Sequence, residues 1–244
     1  MDRSPGALIH AAASKAKSLA LTHLPSKLYW HLMGRLNAVG AVTSDFATLE
    51  ESLASGKQVA DLLVEITRIG PEAQVLDIGS GLGRVEAHLA PRVRRCCGAD
   101  ISPAMVAKAS RLVPFPNVEF RCTDGRGLAE WEDETFDLVF SIFVFQHIPK
   151  EQTIRYLTES FAKLRPGGQI VFQVMVDESR DFKEPPKTHP YALRHYRRGE
   201  VTWLLQELGF EQMRAMEMEG TPDRGEQTGD VIFLAQRPGP VLKG

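Results

Sequence analysis

A glycine-rich turn beside an aspartate is the feature of the sequence with the clearest chemical meaning. The segment VLDIGSGLGR, residues 75–84, is typical of a buried strand followed by a turn and the start of a helix. Glycines allow a tight turn and let a ligand approach the backbone. Asp77 stands just before the turn, where a carboxylate favours a cationic ligand and repels a pyrophosphate. Arg84 occupies the place where a dinucleotide-binding loop has its last glycine. The pattern therefore predicts a site for a cationic ligand.

Two further aspartates lie at the ends of later predicted strands. Asp100 ends the second strand, about 20 residues beyond the turn, where an acidic side chain accepts hydrogen bonds from ribose hydroxyls. Asp124 ends the third strand in CTDG, beside the expected position of an adenine ring. Each has a simpler interpretation, because Asp77 and Asp100 suit turns or caps and Ser102 suits a helix cap. Their repetition at successive strand ends favours S-adenosylmethionine, which carries an ammonium and a sulfonium, as the cofactor.

The elements that position these residues alternate along the chain. From residue 74 onward, short apolar β-rich segments alternate with helical patterns, which is typical of a mostly parallel sheet covered on both faces. Ser102 and Pro103 form a helix start. Two helices, over Lys27–Val42 and after Gly56, precede the first strand. The predicted strands are Gln74–Ile78, Arg95–Ile101, Val118–Thr123, Phe136–Phe143, Gln169–Val176, Phe210–Glu219 and Val231–Gln236.

Five segments, in order and at family-like spacing, resemble the class I S-adenosylmethionine-dependent methyltransferases, and within them the small-molecule group called type 11. They cover residues 75–172, and residues 195–211 also resemble the family. The resemblance implies an α/β fold with a Rossmann-like, doubly wound, seven-stranded sheet. Most strands would be parallel, the last antiparallel, and helices would precede them. The five segments are VLDIGSGLGR, GADISPAMVAKA, FRCTDG, FDLVFSIFVFQHI and LRPGGQIVF.

The same resemblance implies where the cofactor would bind. The methionine end would lie against the glycine turn and the aspartate before it, and the ribose against Asp100. Ile101 and Met105 would pack on the adenine, and Asp124 would meet its amino group. Ser141 would lie near the methionine moiety and the transferable methyl. The implied cofactor-binding residues are Asp77, Gly79, Ser80, Gly81, Asp100, Ile101, Met105, Asp124, Gly125 and Ser141.

A histidine after the fourth strand is the candidate catalytic base. Methyl transfer from a sulfonium is an in-line displacement, so the enzyme mainly aligns the reacting atoms and excludes water. An alcohol or phenol must also lose a proton, a task that suits histidine. His147, in FQHIP, resembles family members in which a histidine faces the acceptor; alternatively it caps the next helix or binds a backbone carbonyl. Gln146 orients the substrate or faces solvent. Tyr191 and His195 are further candidates for substrate contacts.

The order of these patterns predicts the organisation of the chain. We expect an N-terminal arm and lid helices over residues 1–55 and a methyltransferase domain over residues 56–244. Residues 177–198 interrupt the alternation with prolines, aromatics and charges after the end of a strand, where such sheets bind ligands. We therefore expect a substrate cap there. Tyr29, Trp30 and His31 would form a lid with aromatic contacts, or Trp30 would simply pack against the domain.

Composition excludes several other classes of protein. The net charge of −2 gives no electrostatic footprint for nucleic acid. Cys96, Cys97 and Cys122 lack the spacing of a zinc site or a disulfide framework, and we expect all three to be buried in a reducing cytosol. No apolar stretch reaches membrane-spanning length. We therefore expect a cytoplasmic protein without a nucleic-acid partner or a membrane span, and the oligomeric state stays open.

Missing signatures narrow the reaction further. The fourth strand ends in Ser141-Ile142-Phe143 and lacks the carboxylate that a magnesium-dependent catechol-type enzyme needs, so we expect no metal. The acidic-Pro-Pro-aromatic sequence of many amino-group methylases is also absent. We expect methylation of an oxygen or nitrogen of a small molecule such as a sugar, lipid or aromatic natural product. The alternatives are an RNA or protein methyltransferase, or a non-catalytic cofactor-binding partner module. A nicotinamide dehydrogenase conflicts with the glycine spacing.

Overall fold

One β-sheet forms the centre of the fold in a computed structural model, which describes residues 24–42, 48–179, 193–218 and 228–240. Its strands are β1 (Gln74–Ile78), β2 (Arg95–Asp100), β3 (Val118–Cys122), β4 (Phe136–Ser141), β5 (Leu164–Asp177), β6 (His195–Tyr196), β7 (Glu211–Glu217) and β8 (Thr228–Gln236). The order is β3-β2-β1-β4-β5-β8-β7, with β6 paired to β5 beside this path. β8 runs antiparallel to β5 and β7, whereas the other pairs are parallel. The predicted α/β class and the antiparallel last strand are confirmed.

Helices cover both faces of this sheet. They are α1 (Ser26–Leu36), α2 (Ala38–Val42), α3 (Leu49–Thr67), α4 (Glu86–Leu89), α5 (Pro103–Leu112), α6 (Lys150–Lys163) and α7 (Arg198–Glu207), with short 3₁₀ helices at Ala90–Arg92 and Phe145–His147. Two apolar clusters fill the two faces: Leu76 and Phe172 belong to one, Val75 and Val171 to the other. Because neighbouring strand residues point to opposite faces, the continuous apolar runs read from the sequence follow from burial on both sides.

The N-terminal helices differ in their limits from the prediction. The expected helix over Lys27–Val42 is interrupted at Asn37, whose φ of −155° is not helical. The next helix begins at Leu49 rather than after Gly56, because Thr48 forms a capping box with Glu51. The helix predicted after Ser102 begins at Pro103, and its cap is confirmed: the Ser102 hydroxyl accepts a hydrogen bond from the Met105 amide, at 3.3 Å.

The order of the strands places the candidate site. β1 pairs with β2 on one side and with β4 on the other, both in parallel. The chain therefore proceeds outward from β1 to β3, then returns to the other side of β1 through β4. A crevice forms at the carboxyl ends of the strands where the order reverses in this way.

Some expectations differ from the structure, and others concern residues that lie outside the described ranges. Cys96 and Cys97 are buried as expected, but Cys122 is exposed, because it ends β3 at the edge of the sheet. Residues 180–192, most of the predicted cap, lie outside the described residues, as do residues 1–23 of the arm. Within the described ranges, no helix has the length and apolarity needed to cross a membrane.

Candidate cofactor and acceptor site

A cavity lies at the carboxyl ends of β1, β2 and β4, with α1 at its mouth. Ser26 and Trp30 of α1 contribute to its wall. Most of the residues that the sequence indicates also line it, although they come from separate segments of the chain. They are Asp77, Gly79, Ser80, Gly81, Asp100, Ile101, Met105, Gly125 and His147. The fold therefore brings the predicted cofactor residues and the predicted base around one space.

The glycine turn is shaped by its own backbone and by the strand beside it. Gly79 has a φ of +86° and Gly81 a φ of +55°, a region that favours glycine. A Cβ atom at Gly79 would lie only 2.3 Å from a methyl of Val144, so the position also requires the absence of a side chain. The amides of Gly79 and Ser80 both donate to the Ala99 carbonyl, at 2.7 and 3.0 Å. These bonds fix the turn against β2.

Asp100 joins the glycine turn to the next helix. One carboxylate oxygen accepts from the Gly81 amide at 2.9 Å and the other from the Ser102 amide at 2.8 Å. Burial raises the pKa of Asp100 to about 6, although both hydrogen bonds favour the ionised form. Each oxygen retains a lone pair toward the cavity, which suits the hydroxyl donors of a ribose.

Two carboxyl groups and a guanidinium lie together at the end of β1. Burial raises the pKa of Asp77 to about 7, while hydrogen bonding to Glu86 and the charge of Arg84 oppose the shift. Burial and the neighbouring Asp77 raise the pKa of Glu86 well above its usual range. Adjoining carboxyl groups in a dry pocket retain a proton between them. Because Asp77 faces the cavity and Glu86 is fully buried, Asp77 carries the charge that a ligand would meet.

Other predicted residues do not reach the cavity wall. The Ser141 hydroxyl donates to the Ile78 carbonyl at 2.9 Å, within the sheet. Asp124 is exposed and accepts from the Arg126 amide at 2.7 Å, in a local turn. Gln146 is buried, so the interpretation that it faces solvent is wrong. His195 lies on β6, and Tyr191 lies outside the described residues.

His147 reaches the cavity from the 3₁₀ helix after β4. Its ring lies 6.0 Å from that of Trp30, edge to face. Burial, together with the charge of Arg194, lowers the pKa of His147 to about 4. The imidazole is therefore neutral at neutral pH.

A chain of hydrogen bonds leads from His147 through β5 to the adjacent strand β8. The Gln146 amide nitrogen lies 3.3 Å from His147 Nε2, and the Gln146 carbonyl oxygen accepts from Gln173 Nε2 at 2.9 Å. The same Gln173 nitrogen donates to Asp230 of β8. With its carbonyl occupied in this way, Gln146 presents its NH₂ group to His147, which leaves Nε2 as the acceptor and places the ring proton on Nδ1.

The sequence did not indicate several other residues of the wall. Arg84, Phe143 and Tyr156 line the cavity, and Trp30 does so in addition to packing against Tyr29. Arg84 could have been noted from the sequence, because it is a charged residue that stands directly after the glycine turn, where a buried helix begins. Phe143 and Tyr156 carry no such signal, since their positions depend on the packing of α6 and of the loop after β4.

Comparisons with known proteins agree with this fold. Residues 75–168 match the family model of a methyltransferase domain. The ubiquinone biosynthesis O-methyltransferase of Pseudomonas fluorescens (strain Pf0-1) is 32% identical over 122 residues, which are 49% of each chain. The trans-aconitate 2-methyltransferase of Deinococcus radiodurans is 38% identical over 106 residues, 43% of this chain and 38% of that protein. The chain thus aligns with about half the length, or less, of these two curated relatives.

A solved structure extends the likeness of the fold over most of the chain. The [4+2]-cyclase SpnF superposes with a TM-score of 0.67 over 90% of this chain and 97% of that one, at 18% identity. Residues 75–168 thus match a methyltransferase domain, and the fold is that of the class I S-adenosylmethionine-dependent methyltransferases. Within that class, the segments quoted in the sequence analysis resemble the type 11 group. Because SpnF is named for a cyclisation, this fold alone does not define the reaction.

Proposed function

We propose that this chain transfers the methyl group of S-adenosylmethionine to an oxygen, or alternatively a nitrogen, of a small-molecule acceptor. One observation carries the proposal: a single cavity joins the glycine turn and Asp100 to the neutral imidazole of His147. A cofactor held at the first part would present its methyl toward the second. Methyl transfer needs this alignment and the exclusion of water.

The residues present fit the cofactor. Asp77 offers a carboxylate to an ammonium, and the turn at Gly79 lines the same cavity. Asp100 offers acceptors to ribose hydroxyls, and Ile101 and Met105 offer apolar surface to a base. When bound, the cofactor supplies an electrophilic methyl group on a sulfonium.

His147 would remove the proton of the acceptor. Its Nε2 accepts a long bond of 3.3 Å from Gln146, and an acceptor hydroxyl that reaches this atom would replace that bond. The hydroxyl proton then passes to Nε2 as the oxygen becomes nucleophilic. A pKa of about 4 makes the imidazole a weak base. Negative charge that develops on the acceptor oxygen favours imidazolium and raises this pKa during the reaction.

The acceptor side of the cavity favours an apolar or aromatic molecule. Trp30, Phe143, Val144 and Ile148 line the wall around His147. Flat apolar surfaces of this kind bind rings by contact area, and a few polar groups set their orientation. The names of the two curated relatives support a metabolite as the acceptor, and one of them names an oxygen as the methylated atom.

The first test is calorimetric titration of the full chain with S-adenosylmethionine, S-adenosylhomocysteine and NAD. We expect the two adenosyl ligands to bind and NAD not to bind. A screen of phenols, carboxylic acids and lipids with labelled methyl donor would then identify the acceptor. A folded sample that binds neither adenosyl ligand would overturn the proposal. Binding without turnover on any small molecule would favour the partner module, or an RNA or protein acceptor.

A further inference from the structure

Arg84 is a buried cation whose protein partners do not satisfy it. Its side chain is 7% exposed, and it lines the cavity. A guanidinium has five N–H donors. Within the described ranges, Arg84 makes one side-chain hydrogen bond, a long one of 3.4 Å to the Ser55 hydroxyl, and no ion pair within 4 Å. Its other contact is with the Phe143 ring, 5.9 Å from the guanidinium carbon to the ring centre. Burial of a charge is costly unless it is paired, so this arrangement points to an anionic ligand.

The surroundings of Arg84 define the ligand group more closely. Asp77 lies on the same cavity wall, and its charge acts on Arg84. Glu86 is fully buried next to Asp77, and burial raises its pKa well above its usual range, so Glu86 is the protonated member of this pair. The wall thus presents one carboxylate and one guanidinium side by side. An α-amino acid group has the complementary pair, an ammonium and a carboxylate on one carbon.

We propose that Arg84 binds the carboxylate of the methionine moiety of the cofactor, while Asp77 binds its ammonium. The position of Arg84 favours the carboxylate of the cofactor, rather than a carboxylate of the acceptor, as its partner. Arg84 follows the glycine turn directly and lies between that turn and Phe143 at the end of β4. The inference rests on the proposed binding of S-adenosylmethionine and adds a residue that determines recognition of its amino acid end.

The test combines a shortened ligand with a shortened side chain. Calorimetry would compare three ligands: S-adenosylhomocysteine, its decarboxylated analogue S-adenosyl-3-thiopropylamine, and 5′-methylthioadenosine, which lacks the whole amino acid group. For the wild type, removal of the carboxylate should weaken binding roughly tenfold to a hundredfold, as expected for charged hydrogen bonds. Arg84→Met should weaken the binding of S-adenosylhomocysteine by a similar factor and leave the affinities for the two shortened ligands almost unchanged. The loss of affinity from shortening the ligand and the loss from shortening the side chain would therefore not add.

Two variants serve as matched controls. Ser55→Ala removes the hydrogen-bond partner of Arg84 but keeps the guanidinium, and should change the affinity less than threefold, roughly the effect of one long neutral bond. Arg121→Met removes an arginine that also lies over an aromatic ring, Trp131, but outside the cavity. It should leave all three affinities unchanged.

Thermal unfolding separates a ligand role from a structural one. If Arg84 serves a ligand, Arg84→Met should unfold in the absence of ligand no earlier than the wild type, and only the upward shift given by S-adenosylhomocysteine should shrink. Equal weakening of all three ligands, or equal affinities of wild type and Arg84→Met, would overturn the inference. A higher acceptor KM with unchanged S-adenosylhomocysteine affinity would assign the carboxylate to the acceptor instead. Failure of the wild type to bind any adenosyl ligand would overturn the proposed function itself.

Discussion

At the scale of single residues, the charge state of Asp77 links cofactor binding to pH. Its pKa is raised to about 7 by burial, so the carboxyl is largely protonated at pH 6. A ligand ammonium favours the ionised form, and binding therefore releases a proton. We expect the affinity for S-adenosylhomocysteine to rise about tenfold between pH 6 and pH 8.

Calorimetry in buffers of different ionisation enthalpy would measure this proton release. Asp77→Asn should weaken binding and remove most of the pH dependence, because the side chain no longer titrates. Asp61→Asn, at an exposed position of α3, is the control and should behave as the wild type does. An affinity that does not change with pH in the wild type would contradict the role of Asp77.

Asp100 should contribute to cofactor binding, whereas His147 should contribute to the chemical step. Asp100→Ala removes the acceptor of the Gly81 and Ser102 amides as well as a ribose partner, so cofactor affinity should fall. His147→Ala should lower kcat by roughly 10²–10⁴-fold with little change in cofactor affinity, as expected for loss of a general base. Calorimetry and initial rates would measure the two effects. Unchanged affinity in the first variant, or unchanged turnover in the second, would refute the corresponding role.

The buried imidazole should also appear in the pH dependence of stability. Its pKa is about 4 in the folded chain and about 6.5 when unfolded, so between these values the unfolded state binds more protons. This contribution to the free energy of unfolding is complete above pH 6.5 and is lost as the pH falls toward 4. Between pH 7 and pH 5 it amounts to about 2 kcal/mol.

Urea denaturation of the wild type and His147→Asn at these two pH values would isolate the histidine. Asp77 and Asp100 have raised pKa values and act in the opposite sense, so the difference between the two proteins is the quantity to compare. Equal pH dependence in the two proteins would show that the ring titrates normally in the folded state.

At the scale of elements, α3 fits closely against the glycine turn. A Cβ atom at Gly56 would lie 1.8 Å from the carbonyl oxygen of Arg84. Gly56→Ala must therefore push α3 away from the start of α4, and overpacking of this kind costs about 1–3 kcal/mol. Gly70→Ala is a matched control, because nothing lies within 4 Å of its Cβ. Urea denaturation should show a loss for the first variant and almost none for the second.

The helices and strands could be predicted from the sequence where neighbouring residues in the chain determine their limits. The limits of β1 were predicted correctly because a buried apolar run ends at a glycine turn. β5 begins at Leu164 rather than at Gln169, since it first pairs with Phe136 of β4 and then shifts register. No periodicity in the sequence records a pairing between distant strands.

The same distinction explains which residues of the site could be predicted from the sequence. The glycine turn and Asp100 could be predicted, because each is next to the strand that positions it. The sequence placed Ser141 near the methyl group, but its hydroxyl bonds to the Ile78 carbonyl, and side-chain direction at a strand end cannot be read from composition. The hydrogen bonds between Gln146, Gln173 and Asp230 join residues far apart in sequence and become visible only when the sheet is assembled.

At the scale of the whole molecule, two halves of the sheet meet at the cavity. β1, β2 and β3 carry the residues proposed to bind the cofactor, whereas the 3₁₀ helix after β4 carries His147. The helix α1 spans the mouth: Lys27 donates to the Thr123 carbonyl at 3.3 Å, and Lys108 of α5 donates to the Gly34 carbonyl at 2.7 Å. These two bonds hold α1 against the elements that carry the cofactor side of the cavity.

The position of Asp230 has a consequence for the biosynthesis of the chain. β8 is inserted between β5 and β7, although it follows both in sequence. A nascent chain whose residues up to 200 have left the ribosome already possesses the glycine turn, Asp100 and His147, but not the carboxylate to which Gln173 donates. The hydrogen-bonded support behind His147 is therefore the part of the site whose residues are synthesised last.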